Sequence, residues 1–201
     1  MQADVFRLFL FVGERKKMKA KTYTLKITMS AVFIALYFVL DRFTAINLLA
    51  NQYKLSFIPL IMASVFLGSV WGMAVGGVGD LVSALIMPTG AYFPGFTVVS
   101  ALMGLTFGLL CHKKISVPRA LLAAFLCQGI GSLVLNTLNL SFYFIINGIT
   151  KYGDKVLPIV SALALTRSVQ AAVYFAAEFI FLLLLIRIKP RIEKAAHLSR
   201  T

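Results

Sequence analysis

Residues 76 to 96 read GGVGDLVSALIMPTGAYFPGF, and the fold turns on how this stretch is read. A glycine run that binds a dinucleotide follows a strand and opens a helix within a βαβ unit. That context is missing around "GGVGD", so the glycines are read as a surface for close helix packing. Asp80 then stands as a carboxylate in a segment of small and apolar residues. After it comes a loop, "PTGAYFPG", in which Pro88 and Pro94 restrict φ and Gly90 and Gly95 permit tight turns. Tyr92 and Phe93 sit in that loop and Phe96 just beyond it. The loop is expected to hold its aromatics over the end of the bundle as a lid.

The surrounding chain supports a membrane reading. Of 201 residues, 60% are hydrophobic and 13% charged, against about 25% charged in soluble domains. Mean hydropathy is +0.89. Apolar runs cover Tyr23 to Leu40, Leu55 to Trp71, Met73 to Met87, Phe96 to Cys111, Arg119 to about Asn147, and Leu157 to about Ile188. They predict an all-α membrane protein, a bundle of six transmembrane helices. The third, Gly-rich helix is expected to be the short one, tilted, broken or shielded by its neighbours, and followed by the structured outer loop.

The net charge of +13 does not point to nucleic acid, because the basic residues gather in short flanks beside apolar runs. They lie mostly before or early in the first helix, between the fourth and fifth (Lys113, Lys114, Arg119), and at the end of the sixth (Arg187 to Arg200). Arg42, Lys54, Lys151 and Lys155 lie on the other side. The positive-inside rule then puts both termini in the cytoplasm. The expected division is a basic N-terminal extension at 1–22, a transmembrane substrate-binding domain at 23–190 and a basic C-terminal tail at 191–201. The stretch before Met18 reads either as an interfacial segment or as an upstream extension.

Polar residues inside the runs carry the functional reading. Gln128, Ser132, Asn136, Asn139 and Tyr143 share one stripe of the fifth helix, and Arg167, Gln170, Tyr174 and Glu178 one stripe of the sixth. A rise of about 1.5 Å per residue puts Arg167 about 15 Å and Asn139 about 12 Å below the outer surface, so the stripes can meet. Such groups need a partner, a cavity or a neighbouring helix. Helix glue by the amides, or an ion pair between Arg167 and Asp80, are the competing readings. Glu178, nearer the cytoplasmic end, is expected to snorkel or to meet a partner. Cys111 and Cys127 read as small packing residues. A phosphate-binding GxxxxGK[ST] loop, an HExxH motif and a Ser-His-Asp arrangement are all absent from the sequence, so an enzyme is not expected, nor a metal or covalent cofactor.

These features together resemble the substrate-binding S components of energy-coupling factor (ECF) transporters, in the folate branch. The similarity rests on GGVGDLVSALIMPTGAYFPGFTVVSALMGLTFGLL at 76–110, LDRF at 40–43, LNTLNLSF at 135–142 and LPIVSALALTRSVQ at 157–170. Two positions depart from the branch: Ala91, where it often has proline, and Asn139, where the family often has an aromatic. The resemblance implies a plasma-membrane vitamin-binding subunit that topples in the bilayer. It also implies a partner module of one integral coupling subunit and two cytoplasmic ATPases, which would hydrolyse the ATP. Folate or a reduced folate is the expected ligand, with Arg42, Asp80, Tyr92, Phe93, Phe96, Asn136, Asn139, Tyr143, Arg167 and Gln170 as its site. Ala31 and Ala35, an AxxxA pair on the first helix, would belong to the coupling surface. Riboflavin, thiamine or a queuosine precursor are the alternative ligands, and a stand-alone channel or assembly factor the alternative class.

Overall fold

The computed structural model describes the backbone of residues 2–48, 51–88, 93–139, 142 and 156–198, and the side chains of 23–46, 52–88, 93–139, 142 and 167–191. Helix α1 runs Gln2–Phe43. A hairpin of β1 (Ile46–Leu48) and β2 (Asn51–Tyr53) follows, antiparallel, with Asn47 opposite Gln52. Then come α2 (Phe57–Leu67), α3 (Ser69–Ile86) and α4 (Pro94–Cys111). Helix α5 (Val117–Phe125) passes directly into a π-helical segment, Leu126–Leu135. Helix α6 covers Val156–Leu198. Neither the hairpin nor the π segment is foreseen in the apolar runs, and the expected 1–22 extension shares one continuous helix with the first span.

The short element is not the third helix but the second. Gly68, at φ 109°, breaks the second apolar run three residues before the run itself ends. Only glycine reaches that φ readily. Val70 and Trp71 therefore belong to α3, which has 18 residues, while α2 has 11. At about 1.5 Å per residue α2 is about 16 Å long, roughly half a hydrocarbon core. Among the described residues five helical stretches are long and apolar enough to cross a membrane: Tyr23–Phe43, Ser69–Ile86, Pro94–Cys111, Val117–Asn139 and Arg167–Arg191. Only 28% of the α3 stretch is buried, and its exposed residues, Val70, Met73, Val78, Leu81, Leu85 and Ile86, are all apolar, a surface suited to lipid.

The glycines of "GGVGD" do pack helices. A Cβ on Gly72 would overlap Ser64 Oγ and the Gly104 carbonyl, and one on Gly76 would overlap the Ser100 carbonyl. Helices α3 and α4 thus touch backbone to backbone, which is how small residues drive association where lipid offers no hydrophobic force. Ser64 Oγ seals the junction by donating to Leu60 O at 2.7 Å and to Gly104 O at 2.9 Å.

The two ends of the bundle differ. At one end, basic side chains cap helix C-termini, where the carbonyls are unpaired and the dipole is negative. Lys26 Nζ donates to Leu67 O at 3.2 Å and Lys189 Nζ to His112 O at 2.6 Å. Above this cap lies the core, with Ile61, Val65, Phe107 and Leu182 fully buried. Cys111 and Cys127 are free thiols packed within it, as expected of small core residues. The opposite end is open.

Candidate functional site

A cavity of about 470 Å³ opens at the end away from the basic cap. That falls within the usual 300–1,000 Å³ for small-molecule sites. Helix α1 delivers Tyr37, Asp41 and Arg42 to it, α3 delivers Asp80, α4 delivers Phe96 and Ser100, and the last two spans deliver their polar stripes.

The mouth is organised by Asp41. It is 3% exposed and accepts from Lys54 Nζ at 3.2 Å and Ser56 Oγ at 3.2 Å, with Arg42 Nε at 3.3 Å. A carboxylate at that depth is tolerated because it has both charge and hydrogen-bond partners. Lys54 leads from the hairpin into α2, and α6 holds it there. The Tyr174 hydroxyl accepts from Lys54 N at 2.6 Å and donates to Lys54 O at 3.2 Å. The Tyr174 ring stacks on Tyr53 with centroids 5.9 Å apart. Gln170 Nε2 donates to Gln52 O at 2.7 Å. Two residues of the α6 stripe thus pin the hairpin over the cavity.

Six of the expected site residues line this cavity: Arg42, Asp80, Phe96, Asn136, Arg167 and Gln170. Phe93 stands one layer back, edge-on to Phe96 at 6.3 Å. Asn139 is also off the lining; its amide lies where a Cβ on Gly95 would go, so it packs against the start of α4. Tyr92 and Tyr143, with most of the expected lid loop, lie outside the described residues. Ala31 and Ala35 are exposed on the outer face of α1. Asp80 accepts from Thr97 Oγ1 at 2.7 Å. Among the described residues no ion pair joins Asp80 to Arg167, although both face the same space.

Glu178 corrects the expectation of snorkelling. It is 2% exposed, lines the cavity, and accepts from Gln128 Nε2 at 2.6 Å. Its place on the α6 stripe was visible in the spacing; its inward bond to the π segment was not. Lys54 and Tyr37 are among the other lining residues that sequence reasoning missed. Lys54 read as a loop cation, and Tyr37 carries no signal that sets it apart from other apolar-run aromatics.

Residues 21–189 match the family model described as ECF-type riboflavin transporter, S component. The folate transporter FolT of Clostridium novyi is 34% identical over 109 residues, 54% of this chain and 63% of that protein. The folate transporter FolT of Leuconostoc mesenteroides is 30% identical over 121 residues, 59% of this chain and 64% of the relative. These matches span less than two thirds of each relative's length. A crystal structure of FolT bound with folic acid superimposes with a TM-score of 0.67 at 27% identity, covering 80% of this chain and 92% of that one. The family match runs over most of the sequence and the fold is shared with a solved transporter component, so the chain belongs to the family of ECF-type riboflavin transporter S components, a family of transport subunits and not of enzymes.

Proposed function

We propose that this chain captures folate or a reduced folate from outside the cell for an ATP-driven ECF importer. The observation that carries the reading is the set of cations among the lining: Arg42 and Lys54 share Asp41 at the mouth, and Arg167, which makes no ion pair among the described residues, lines the same space as Asp80 and Glu178. Folate bears a glutamate with two carboxylates, for which guanidinium and ammonium groups are the matching donors. Its flat ring system suits Phe96, backed by Phe93, and Asn136 offers an amide to ring donors and acceptors. Riboflavin is the second reading, favoured by the description of the matching family model. It has no carboxylate to offer Arg167.

In this proposal six helices cross the plasma membrane with both termini in the cytoplasm, α2 crossing as a short segment shielded by α3 and α4. Support comes from the basic cap, which lies at the end opposite the cavity. Residues 1–22 and 191–201 are basic flanks of the 23–190 binding domain. The partners are an integral coupling subunit, met through Ala31 and Ala35, and two ATPases. Tyr92 of the outer loop and Tyr143 of the fifth-helix stripe complete the proposed ligand set.

Mass spectrometry of ligand co-purified with the protein tests the reading directly, with folate expected and riboflavin overturning it. Titration adds the residues: Arg42→Ala and Asn136→Ala are each expected to weaken folate about 10-fold or more. If neither changes affinity, the site is elsewhere. Ala35→Trp is expected to abolish recovery of the ATPases while folate still binds.

A further inference from the structure

The base of the cavity presents acceptors without donors. Gln128, 5% exposed, spends Nε2 on Glu178, which leaves Gln128 Oε1 buried and, among the described residues, without a partner. Among the described residues Glu178 Oε2 is also buried and unpartnered, and so is Asn136 Oδ1, about two helical turns nearer the mouth. All three residues line the cavity. The Gln128–Glu178 bond fixes the amide orientation, since a carboxylate accepts and only the amide nitrogen can donate. Just beyond this point the wall closes: Cys127 is 2% exposed and Leu182 fully buried. Unsatisfied buried acceptors are costly, and such costs gather where a ligand relieves them. Gln128 is also carried by a π-helical turn, a distortion found most often at functional sites.

We propose that Glu178, oriented by Gln128, is the specificity residue that receives the amino-pyrimidinone edge of a pteridine ring, so that the ligand enters ring first. This deepens the folate reading and rests on it. That edge carries an amino group beside a ring N–H, two donors in a row that match one carboxylate. Riboflavin offers at the corresponding edge one N–H between two carbonyls, and a carbonyl facing an acceptor is repelled. The base therefore discriminates between the two ligands by repulsion as well as attraction. The ligand's carboxylates are left toward Arg42 and Lys54 at the mouth.

The test compares folic acid with its analogue in which methyl replaces the 2-amino group, titrated against purified wild type, Glu178→Gln and Asp80→Asn. Wild type is expected to bind folic acid about 10- to 100-fold more tightly than the analogue. In Glu178→Gln that preference is expected to collapse, because folic acid loses a two-donor contact and weakens much more than the analogue, which offers only the ring N–H. Asp80→Asn is expected to keep it. Equal binding of the two ligands by wild type overturns the proposal without any variant having to fold. Equal weakening of both ligands in Glu178→Gln, or collapse of the preference in Asp80→Asn, overturns it while the folate reading stands. Wild type that binds riboflavin and neither pteridine overturns both.

Discussion

Two interfaces in this bundle solve opposite problems. Between α3 and α4 the contact is glycine against backbone, at Gly72 with Gly104 and at Gly76 with the Ser100 carbonyl. Between the π segment and α6 the contact is polar, Gln128 to Glu178, with oxygens left over. The first has no spare atoms and no spare space. The second gives up packing density and hydrogen-bond satisfaction beside the cavity. Backbone interlock is concentrated between α3 and α4, and unmet bonding capacity beside the cavity, a division expected when stability and function compete.

The comparison breaks most visibly at Gly104. Gly104→Val forces a side chain into the Gly72 carbonyl, and overpacking against backbone is expected to cost about 3 kcal/mol or more. Loss of monodisperse protein and a lowered thermal midpoint in detergent would register it; an unchanged midpoint would mean the helices are not interlocked. The reverse is expected across the cavity. Replacing both Gln128 and Glu178 by leucine removes a buried polar pair, which is commonly neutral or stabilising by about 1–4 kcal/mol. The double variant should melt at the same or higher temperature and yet lose folate binding in titration. Melting well below wild type would show that the pair holds the fold. Tyr174→Phe is a smaller change. It removes the hydroxyl from both Lys54 backbone groups, costs about 1 kcal/mol, and is expected to speed ligand release as the hairpin loosens. An unaltered off-rate in stopped-flow would detach the hairpin from the site. The least effect belongs to Gly129→Ala, where an added Cβ meets nothing within 4 Å. A shift within about 1 kcal/mol is expected, and a larger loss would place a hidden contact on the π segment.

Much of the site was legible because its residues are costly where they lie. Asp80, Asn136, Arg167 and Gln170 interrupt apolar runs, and a polar group in hydrocarbon has to face something. Helical spacing then aligned them on stripes. Other parts follow no such rule. Gly68 looks like any glycine between apolar residues until its φ is known, so the short helix was assigned to α3 instead of α2. Gln170 and Tyr174 sit correctly on their stripe, but what they bind is the hairpin backbone. Asn139 keeps the period and still misses the cavity, because α4 begins beside it at Gly95.

The amino-acid sequence alone determined the membrane class, the helical character of its apolar runs and the small-residue packing run at "GGVGD". All of these depend on composition and period, which local chemistry dictates. The tertiary structure decided which polar groups meet. It separated Asp80 from Arg167, gathered Lys54 and Arg42 on Asp41, and turned Glu178 inward onto Gln128. Those outcomes depend on how whole helices tilt and rotate against one another, and that is set by glycine contacts and a helix break many residues away.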